Sequence, residues 1–182
     1  MNVFCKRIVS GFVVSALGVS ALATAANATE IRMGGYYHGL RVAAPHARED
    51  NDLDYNAEIL FDSPAVLSWL GSPRPQLGTT IAHHGTSLTY AGLDWTANLT
   101  DAVFFDFGLG GAVHDGRLAG TSPNNNENRY GCRVLFHENI SIGYRLTESV
   151  SVMGTIEHMS NASLCDYNEG LTNAGVRLGY NF

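Results

Sequence analysis

The sequence predicts an all-β fold, an eight-stranded antiparallel transmembrane β-barrel of the outer-membrane type. Segments of about ten residues alternate between apolar and polar side chains with a period of two, and turn-forming residues separate them. Helical periodicity is nearly absent. Alternation over this length is typical of strands that cross a membrane with one face towards lipid and the other towards the barrel interior.

The predicted strands follow one another along the chain, with a turn or loop after each. They are residues 31–39, 54–62, 76–84, 87–96, 103–113, 130–145, 149–160 and 171–182. Glycine and aromatic residues are frequent within them, as expected where strands bend around a closed sheet and aromatic rings lie at the membrane interface.

The last strand shows the pattern most clearly. In TNAGVRLGYNF one face is apolar and runs to a terminal aromatic: Ala174, Val176, Leu178, Tyr180 and Phe182. The other face carries asparagine, arginine and glycine, and strand 140–146 repeats this division. A soluble β-sandwich would also alternate but would not need the terminal aromatic, so the pattern favours a membrane barrel.

The connections have the asymmetry of outer-membrane barrels, in which short turns lie on one side and longer loops on the other. Segments 41–52 and 115–129 are long and polar, whereas residues 147–148 form a tight turn. Two connections fit less well, namely the short HHGT segment and the longer one at 63–75.

The N-terminal residues have the features of a cleaved secretory signal peptide, predicted to span 1–28. Two basic residues precede an apolar stretch at 8–23, and the small residues ANA at 26–28 suit cleavage. Residues 29–182 then form a single barrel domain. We expect such an exported chain in the outer membrane of a Gram-negative bacterium.

The charge of the chain excludes nucleic acid as a partner. All 17 acidic residues follow the predicted signal, whereas two of the 11 basic residues, Lys6 and Arg7, lie within it, which leaves a net charge near −8. A chain this acidic and without a basic run lacks the electrostatic surface that binds phosphates.

The apolar face of strand 149–160 is interrupted by His158 and Ser160, which follow Ile156 on the same face. A histidine can take the proton of a serine hydroxyl and make its oxygen a nucleophile for an ester. Asn161, or backbone N–H groups at the strand end, would stabilise the oxyanion. The alternative is a non-catalytic polar pair at headgroup level. Polar side chains on a lipid-facing wall indicate a partner within the membrane.

The tight turn at 147–148 also predicts which residues lie opposite one another. It places Glu138 across from His158 and Cys132 near residue 164. That register, in an exported protein, favours a disulfide between Cys132 and Cys165.

The register with the last strand depends on a turn centred near Asp166. It predicts Thr172 beside Ser160 and Ala174 beside His158, subject to the shifts that bulges introduce.

No metal and no cofactor is expected. His83 and His84 are adjacent, so alternation along a strand would point them to opposite faces and prevent them from binding one metal ion together. The sequence also lacks the H-E-x-x-H zinc motif, the G-x-S-x-G motif and a glycine-rich phosphate loop.

Four stretches of the chain resemble the PagL-type lipid A 3-O-deacylases. They are HMSNASLCDYNEGLTNAGVRLGYNF at 158–182, GSPRPQLG at 71–78, YAGLDW at 90–95 and GLGGAVHDG at 108–116. The resemblance implies an eight-stranded outer-membrane barrel that removes the ester-linked 3-hydroxyacyl chain from lipid A. Lipid A, within lipopolysaccharide, would be its partner, and the oligomeric state, homodimer included, stays open.

The resemblance assigns roles to residues near the end of strand 149–160. His158 corresponds to the base, Ser160 to the nucleophile and Asn161 to a neighbour of the oxyanion. Where the family has a glutamate, fourteen residues after the histidine, this chain has Thr172.

Two glutamates are candidates to replace the missing carboxylate. Glu138 has the outward parity of His158, and Glu169 lies close to it in sequence. A dyad without a carboxylate is the third possibility. At the level of function, the alternatives are a structural or adhesion barrel without activity, and a barrel with phospholipase or acyltransferase activity.

Overall fold

The computed structural model describes residues 28–41, 49, 52–120 and 127–182. The predicted signal peptide, apart from Ala28, lies outside these residues, as do parts of the predicted loops 41–52 and 115–129. Among the described residues, no helix is long and apolar enough to cross a membrane.

The described residues form a closed antiparallel barrel in which each strand pairs with its sequence neighbours and the last pairs with the first. The strands are β1 Ala28–Tyr37, β2 Leu53–Phe61, β3 Arg74–Ala82, β4 Leu88–Asn98, β5 Val103–His114, β6 Val134–Arg145, β7 Val150–Ser160 and β8 Leu171–Asn181. A short 3-10 helix, Ala65–Leu70, lies between β2 and β3. The predicted fold class is confirmed.

We call the end of the barrel where β7 ends and β8 begins the loop end. The longer connections after β1, β5 and β7 lie there, and this is the extracellular side of outer-membrane barrels. Most strand boundaries differ from the prediction by one to three residues, and the largest difference is at β6, which begins at Val134 rather than 130. Gly131 has a φ of 71°, and the Cys132 N–H donates to the Tyr130 carbonyl at 2.7 Å, so a tight turn precedes the strand.

The two faces of β8 divide as the sequence predicts. Val176, Leu178 and Tyr180 are half or more exposed on the outer wall, whereas Arg177 between them is 1% exposed inside the barrel. Because the outward side chains are apolar, this wall suits contact with lipid acyl chains.

Charged side chains fill the barrel interior. The Glu58 carboxylate accepts hydrogen bonds from Arg177 at 3.0 Å, from Arg32 at 3.3 Å and from the Tyr90 hydroxyl at 2.9 Å. An eight-stranded barrel has room inside for little more than its own side chains. A site that acts on membrane lipid must therefore lie on the outer wall.

A second buried polar cluster joins the connections at the loop end. His38, the first residue after β1, has Nδ1 at 2.7 Å from Asp54 Oδ2 and Nε2 at 3.0 Å from Glu49 Oε2. Glu49 in turn accepts from the backbone N–H groups of Thr86 at 2.9 Å and Asn128 at 2.8 Å. Glu49 thus connects the loop after β1 to the connections that follow β3 and β5.

We expect the stability of this cluster to depend on pH through His38. Burial alone would lower the pKa of His38, but the hydrogen bonds and charges of Asp54 and Glu49 raise it to about 9. Because the pKa of His38 is higher in the folded state, protonation of His38 stabilises the fold. The full contribution is present below the ordinary pKa of 6.5, and it is lost as pH rises through about 9.

The measurement is the urea midpoint of unfolding in detergent at pH 7 and pH 10. The wild type should lose more stability between the two than His38→Gln, which has no titrating imidazole at this position. Equal losses in the two proteins would contradict this role of His38.

Candidate functional site

The candidate site lies on the outer wall at the loop ends of β6, β7 and β8. Glu138 on β6 pairs with His158 on β7, as the sequence predicts. On the other side, His158 pairs with Thr172 on β8, so the predicted pairing of Thr172 with Ser160 is wrong by two residues. The connection from β7 to β8 is not a simple hairpin, since Ala162 and Ser163 have left-handed backbones with φ of 51° and 63°.

His158 is positioned by a hydrogen bond from its own ring. Its Nδ1 lies 2.8 Å from Thr172 Oγ1, and both residues are held by the paired strands. When Nδ1 carries the proton and donates it to the hydroxyl, Nε2 keeps a lone pair. Among the described residues, Nε2 has no hydrogen-bond partner, so it is free to act as a base.

Ser160 follows two residues later on the same outward face, which puts the two Cα atoms about 7 Å apart. Both side chains are half-buried rather than fully exposed. The strand therefore presents an imidazole and a hydroxyl together on the outer wall, close to the loop end of the barrel.

The two candidate carboxylates have different surroundings. Glu138 faces outward beside His158, and its Oε2 is buried without a hydrogen-bond partner among the described residues. Glu169 instead accepts hydrogen bonds from Arg129, from Nη2 at 2.5 Å and from the backbone N–H at 2.7 Å. Glu138 is therefore the candidate carboxylate whose residue pairs with His158 across neighbouring strands, whereas the Glu169 carboxylate is engaged by Arg129.

Asn161 holds the connection after β7 in place. Its side-chain amide donates to the carbonyls of Tyr130 at 2.7 Å and Tyr167 at 2.5 Å, and the residue is 2% exposed. Because both amide protons are used in this way, the side chain is not available to an oxyanion. The N–H groups of Ala162 and Ser163, which directly follow, remain as candidate donors.

A disulfide joins this connection to the segment before β6. The structure bonds Cys132 to Cys165, whose Cα atoms are 6.0 Å apart. The Arg129 guanidinium also stacks on the Tyr167 ring at 4.5 Å. The disulfide, the Asn161 amide and the Arg129–Glu169 ion pair together fix the rim above Ser160.

An apolar groove lies on the outer wall directly below His158. Its volume is about 410 Å³, and the apolar side chains that line it are Phe105, Ile140, Ile142, Ile156 and Ala174. Gly154 also lines the groove, and an added Cβ there would meet nothing within 4 Å. The apolar lining of the groove suits an acyl chain.

The structure corrects the expectation for His83 and His84. They lie in the connection after β3 rather than on a strand, so alternation does not apply to them. Nitrogen atoms of both rings and a carboxylate oxygen of Asp52 lie within 4.8 Å of one another. The two histidines can therefore bind one metal ion together.

Sequence reasoning missed the hydroxyl of Thr172 as the partner of His158. The signal was present in the spacing, because Thr172 stands fourteen residues after the histidine. Only the register of β7 with β8 shows that this position meets the ring.

Comparisons with known proteins agree with this architecture. A family model described as PagL, lipid A 3-O-deacylase, matches residues 53–181. The crystal structure of the outer membrane enzyme PagL is similar, with a TM-score of 0.61 and 16% identity over 84% of this chain and 99% of that one. A search of curated protein sequences found no match.

Two further solved barrels are similar at the level of fold. The N-terminal β-barrel domain of Pseudomonas aeruginosa OprF has a TM-score of 0.53 and 11% identity over 85% of this chain and 98% of that one. A de novo designed transmembrane β-barrel has a TM-score of 0.51 and 10% identity over 85% and 96%. The fold is thus that of outer-membrane barrels generally, and the functional assignment depends on the family match.

Proposed function

This chain belongs to the PagL family of lipid A 3-O-deacylases, and from that membership we propose that it hydrolyses the ester-linked 3-hydroxyacyl chain of lipid A. The reaction takes place in the outer leaflet of a Gram-negative outer membrane, to which a cleaved signal peptide directs the chain. The structural observation that supports the proposal is the pair His158 and Ser160, which faces outward above an apolar groove.

Ser160 is the nucleophile in this mechanism. His158 Nε2 takes the hydroxyl proton as Oγ attacks the ester carbonyl, and the tetrahedral intermediate collapses to an acyl-serine. The imidazolium gives its proton to the departing 3-oxygen of the sugar. A water molecule, activated by the same nitrogen, then hydrolyses the acyl-serine and releases the 3-hydroxy fatty acid.

The oxyanion of the intermediate would be stabilised by the backbone N–H groups of Ala162 and Ser163. Both residues have positive φ values, and strained backbone of this kind persists only where the surroundings hold it in place. Here the Asn161 amide and the Cys132–Cys165 disulfide do so. Asn161 thus acts on the oxyanion site through the position of the loop.

Thr172 orients the ring, and Glu138 supplies the nearby negative charge. In the tautomer that the mechanism needs, the threonine hydroxyl accepts the Nδ1 proton and Nε2 keeps its lone pair. Glu138, which pairs with His158, stabilises the imidazolium that forms during the reaction. Glu169 has a structural role, because Arg129 engages its carboxylate.

We expect Thr172→Val to lower kcat by about tenfold, the equivalent of one lost hydrogen bond of about 1.4 kcal/mol. Valine has nearly the shape of threonine but offers Nδ1 no acceptor. The measurement is kcat and KM on lipid A micelles, with Thr172→Ser as the control that keeps the hydroxyl. A valine variant as fast as the serine variant would show that the hydroxyl does not orient the ring.

Glutamine substitutions separate the two carboxylates in the same assay. Glu138→Gln should lower kcat and leave KM nearly unchanged, because only the charge beside the imidazolium is removed. Glu169→Gln should reduce thermal stability before it affects kcat. The reverse result would assign the catalytic charge to Glu169. If neither substitution changes kcat, the site works as a dyad of His158 and Ser160 without a carboxylate.

Gly154 should set the length of acyl chain that the groove accepts. A Cβ added at this position meets open space, so leucine should project into the groove and lower kcat/KM for a long acyl chain by about tenfold relative to a short one. Ala91→Leu, on the outer wall of β4, is the matched control. An unchanged preference in Gly154→Leu would place the acyl chain elsewhere.

The function itself is tested by mass spectrometry of lipid A from a Gram-negative host that expresses the protein. The proposal predicts loss of one 3-hydroxyacyl chain from the 3-position. Unchanged lipid A around a folded barrel would favour a structural or adhesion protein. Altered phospholipids with intact lipid A would favour a phospholipase or acyltransferase.

A further inference from the structure

A cluster of metal-ligating side chains lies at the loop end, on the side of the barrel away from His158. Asp52 directly precedes β2, and His83 and His84 directly follow β3. The pairing of Asp54 with Ala82 brings these strand ends together. Around the closed barrel, three strands separate β3 from β7 in both directions. Two strands separate β2 from β7 in one direction and four in the other, so the cluster lies away from the proposed catalytic wall.

The two histidines point the same ring nitrogen at one carboxylate oxygen. Asp52 Oδ2 lies 2.7 Å from His84 Nδ1 and 3.5 Å from His83 Nδ1. The rings are nearly perpendicular, with an interplanar angle of 84° and centroids 4.1 Å apart.

The spacing is close to that of ligands on a tetrahedral ion. With metal–ligand bonds of about 2.0–2.1 Å, tetrahedral ligand atoms are about 3.3–3.4 Å apart. The His83–Asp52 distance already has this value to within about 0.2 Å, and the His84–Asp52 distance must widen by about 0.6 Å. Both histidines are exposed, so their side chains can make this adjustment.

The backbone fixes the carboxylate for this role. The Leu53 N–H donates to Asp52 Oδ1 at 2.8 Å, which leaves Oδ2 turned towards the imidazoles. Hydrogen bonds that orient a ligating carboxylate in this way are typical of metal sites.

We propose that Asp52, His83 and His84 bind a divalent transition-metal ion, with Zn²⁺ as the best match. Two imidazoles and one carboxylate suit Zn²⁺, whereas Ca²⁺ and Mg²⁺ prefer a shell made of oxygen ligands. The exposed side chains leave a fourth position for water. The ion would clamp the start of β2 to the connection after β3, and its binding is independent of the proposed deacylase activity.

The test uses the full-length mature barrel, refolded in detergent, freed of any polyhistidine tag and treated with chelator. Calorimetric titration with Zn²⁺ should give one site per chain. His83→Ala, His84→Ala and Asp52→Asn should each weaken binding by at least about tenfold. Asp101→Asn, which removes an exposed carboxylate from the connection between β4 and β5, is the charge-matched control and should bind like the wild type.

Two further readouts sharpen the result. Co²⁺ should give the intense visible absorption of a tetrahedral site in the wild type and lose it in His84→Ala, while Ca²⁺ at the same concentration should give no heat of binding. The proposal is overturned if Zn²⁺ does not bind, or if its affinity is the same in the wild type and in all three ligand variants.

Discussion

Ser160→Ala is expected to lower the rate of 3-hydroxy fatty acid release from lipid A by at least about a thousandfold. Alanine keeps the strand and its pairing with Phe136 but removes the oxygen that attacks the lipid A ester in the proposed mechanism. Without it no acyl-serine can form, and only the oxyanion donors and the bound geometry remain. The measurement is the released fatty acid, quantified by mass spectrometry over time with purified protein.

The control for this substitution is Ser149→Ala. Ser149 lies in the turn just before β7, at the end of the barrel opposite the loop end. Both variants should fold, as judged by the mobility shift that heated barrels show on gels. If the Ser160 variant works as fast as the Ser149 variant, the nucleophile lies elsewhere.

His158→Ala is expected to cause a loss of similar size, about a thousandfold, because no other described side chain at the site has a free ring nitrogen. Its residual rate should rise with pH between 7 and 8.5, since deprotonation of Ser160 is then left to hydroxide. Substrate affinity should change little, because the acyl groove begins below this residue.

His84→Ala provides the matched control for the histidine substitution. It removes an exposed imidazole at the loop end on another part of the barrel, and deacylation should proceed at the wild-type rate. A His158 variant with more than about a tenth of the wild-type rate would show that His158 is not the base.

The elements that the sequence predicts well are those governed by local rules. Alternation predicts all eight strands to within a few residues, because the outer face meets lipid and the inner face carries the ion pairs of Arg32 and Arg177. The tight turn between β6 and β7 leaves only one register that keeps both apolar faces outward. That is why Glu138 could be placed opposite His158 before the structure was known.

The parts that the sequence does not predict depend on contacts between distant segments. The connection from β7 to β8 is shaped by the Asn161 amide and the Cys132–Cys165 disulfide, so its centre cannot be counted from turn residues alone. The Arg129–Glu169 ion pair joins two loops and has no local signature. His83 and His84 were misjudged because the alternation rule was extended past the end of β3.

The contacts of His158 suggest how the proposed site works with Thr172 in the position where the family has a glutamate. Thr172 Oγ1 lies 2.8 Å from His158 Nδ1, so under the proposed mechanism the threonine accepts the Nδ1 proton without a charge in that position. The proposed negative charge is that of Glu138, on the opposite neighbouring strand. In this proposal two residues share the tasks that one carboxylate performs in a serine–histidine–acid triad.

The most direct test of a lipid-facing serine nucleophile is covalent labelling with a fluorophosphonate that carries a long alkyl chain. Its alkyl chain should lie in the outer groove and its phosphorus should react with Ser160 alone. Mass spectrometry should then find one adduct, on the tryptic peptide between Arg145 and Arg177, and none in Ser160→Ala or His158→Ala. An adduct at another residue would contradict the account. So would a protein that deacylates lipid A but that the probe fails to label.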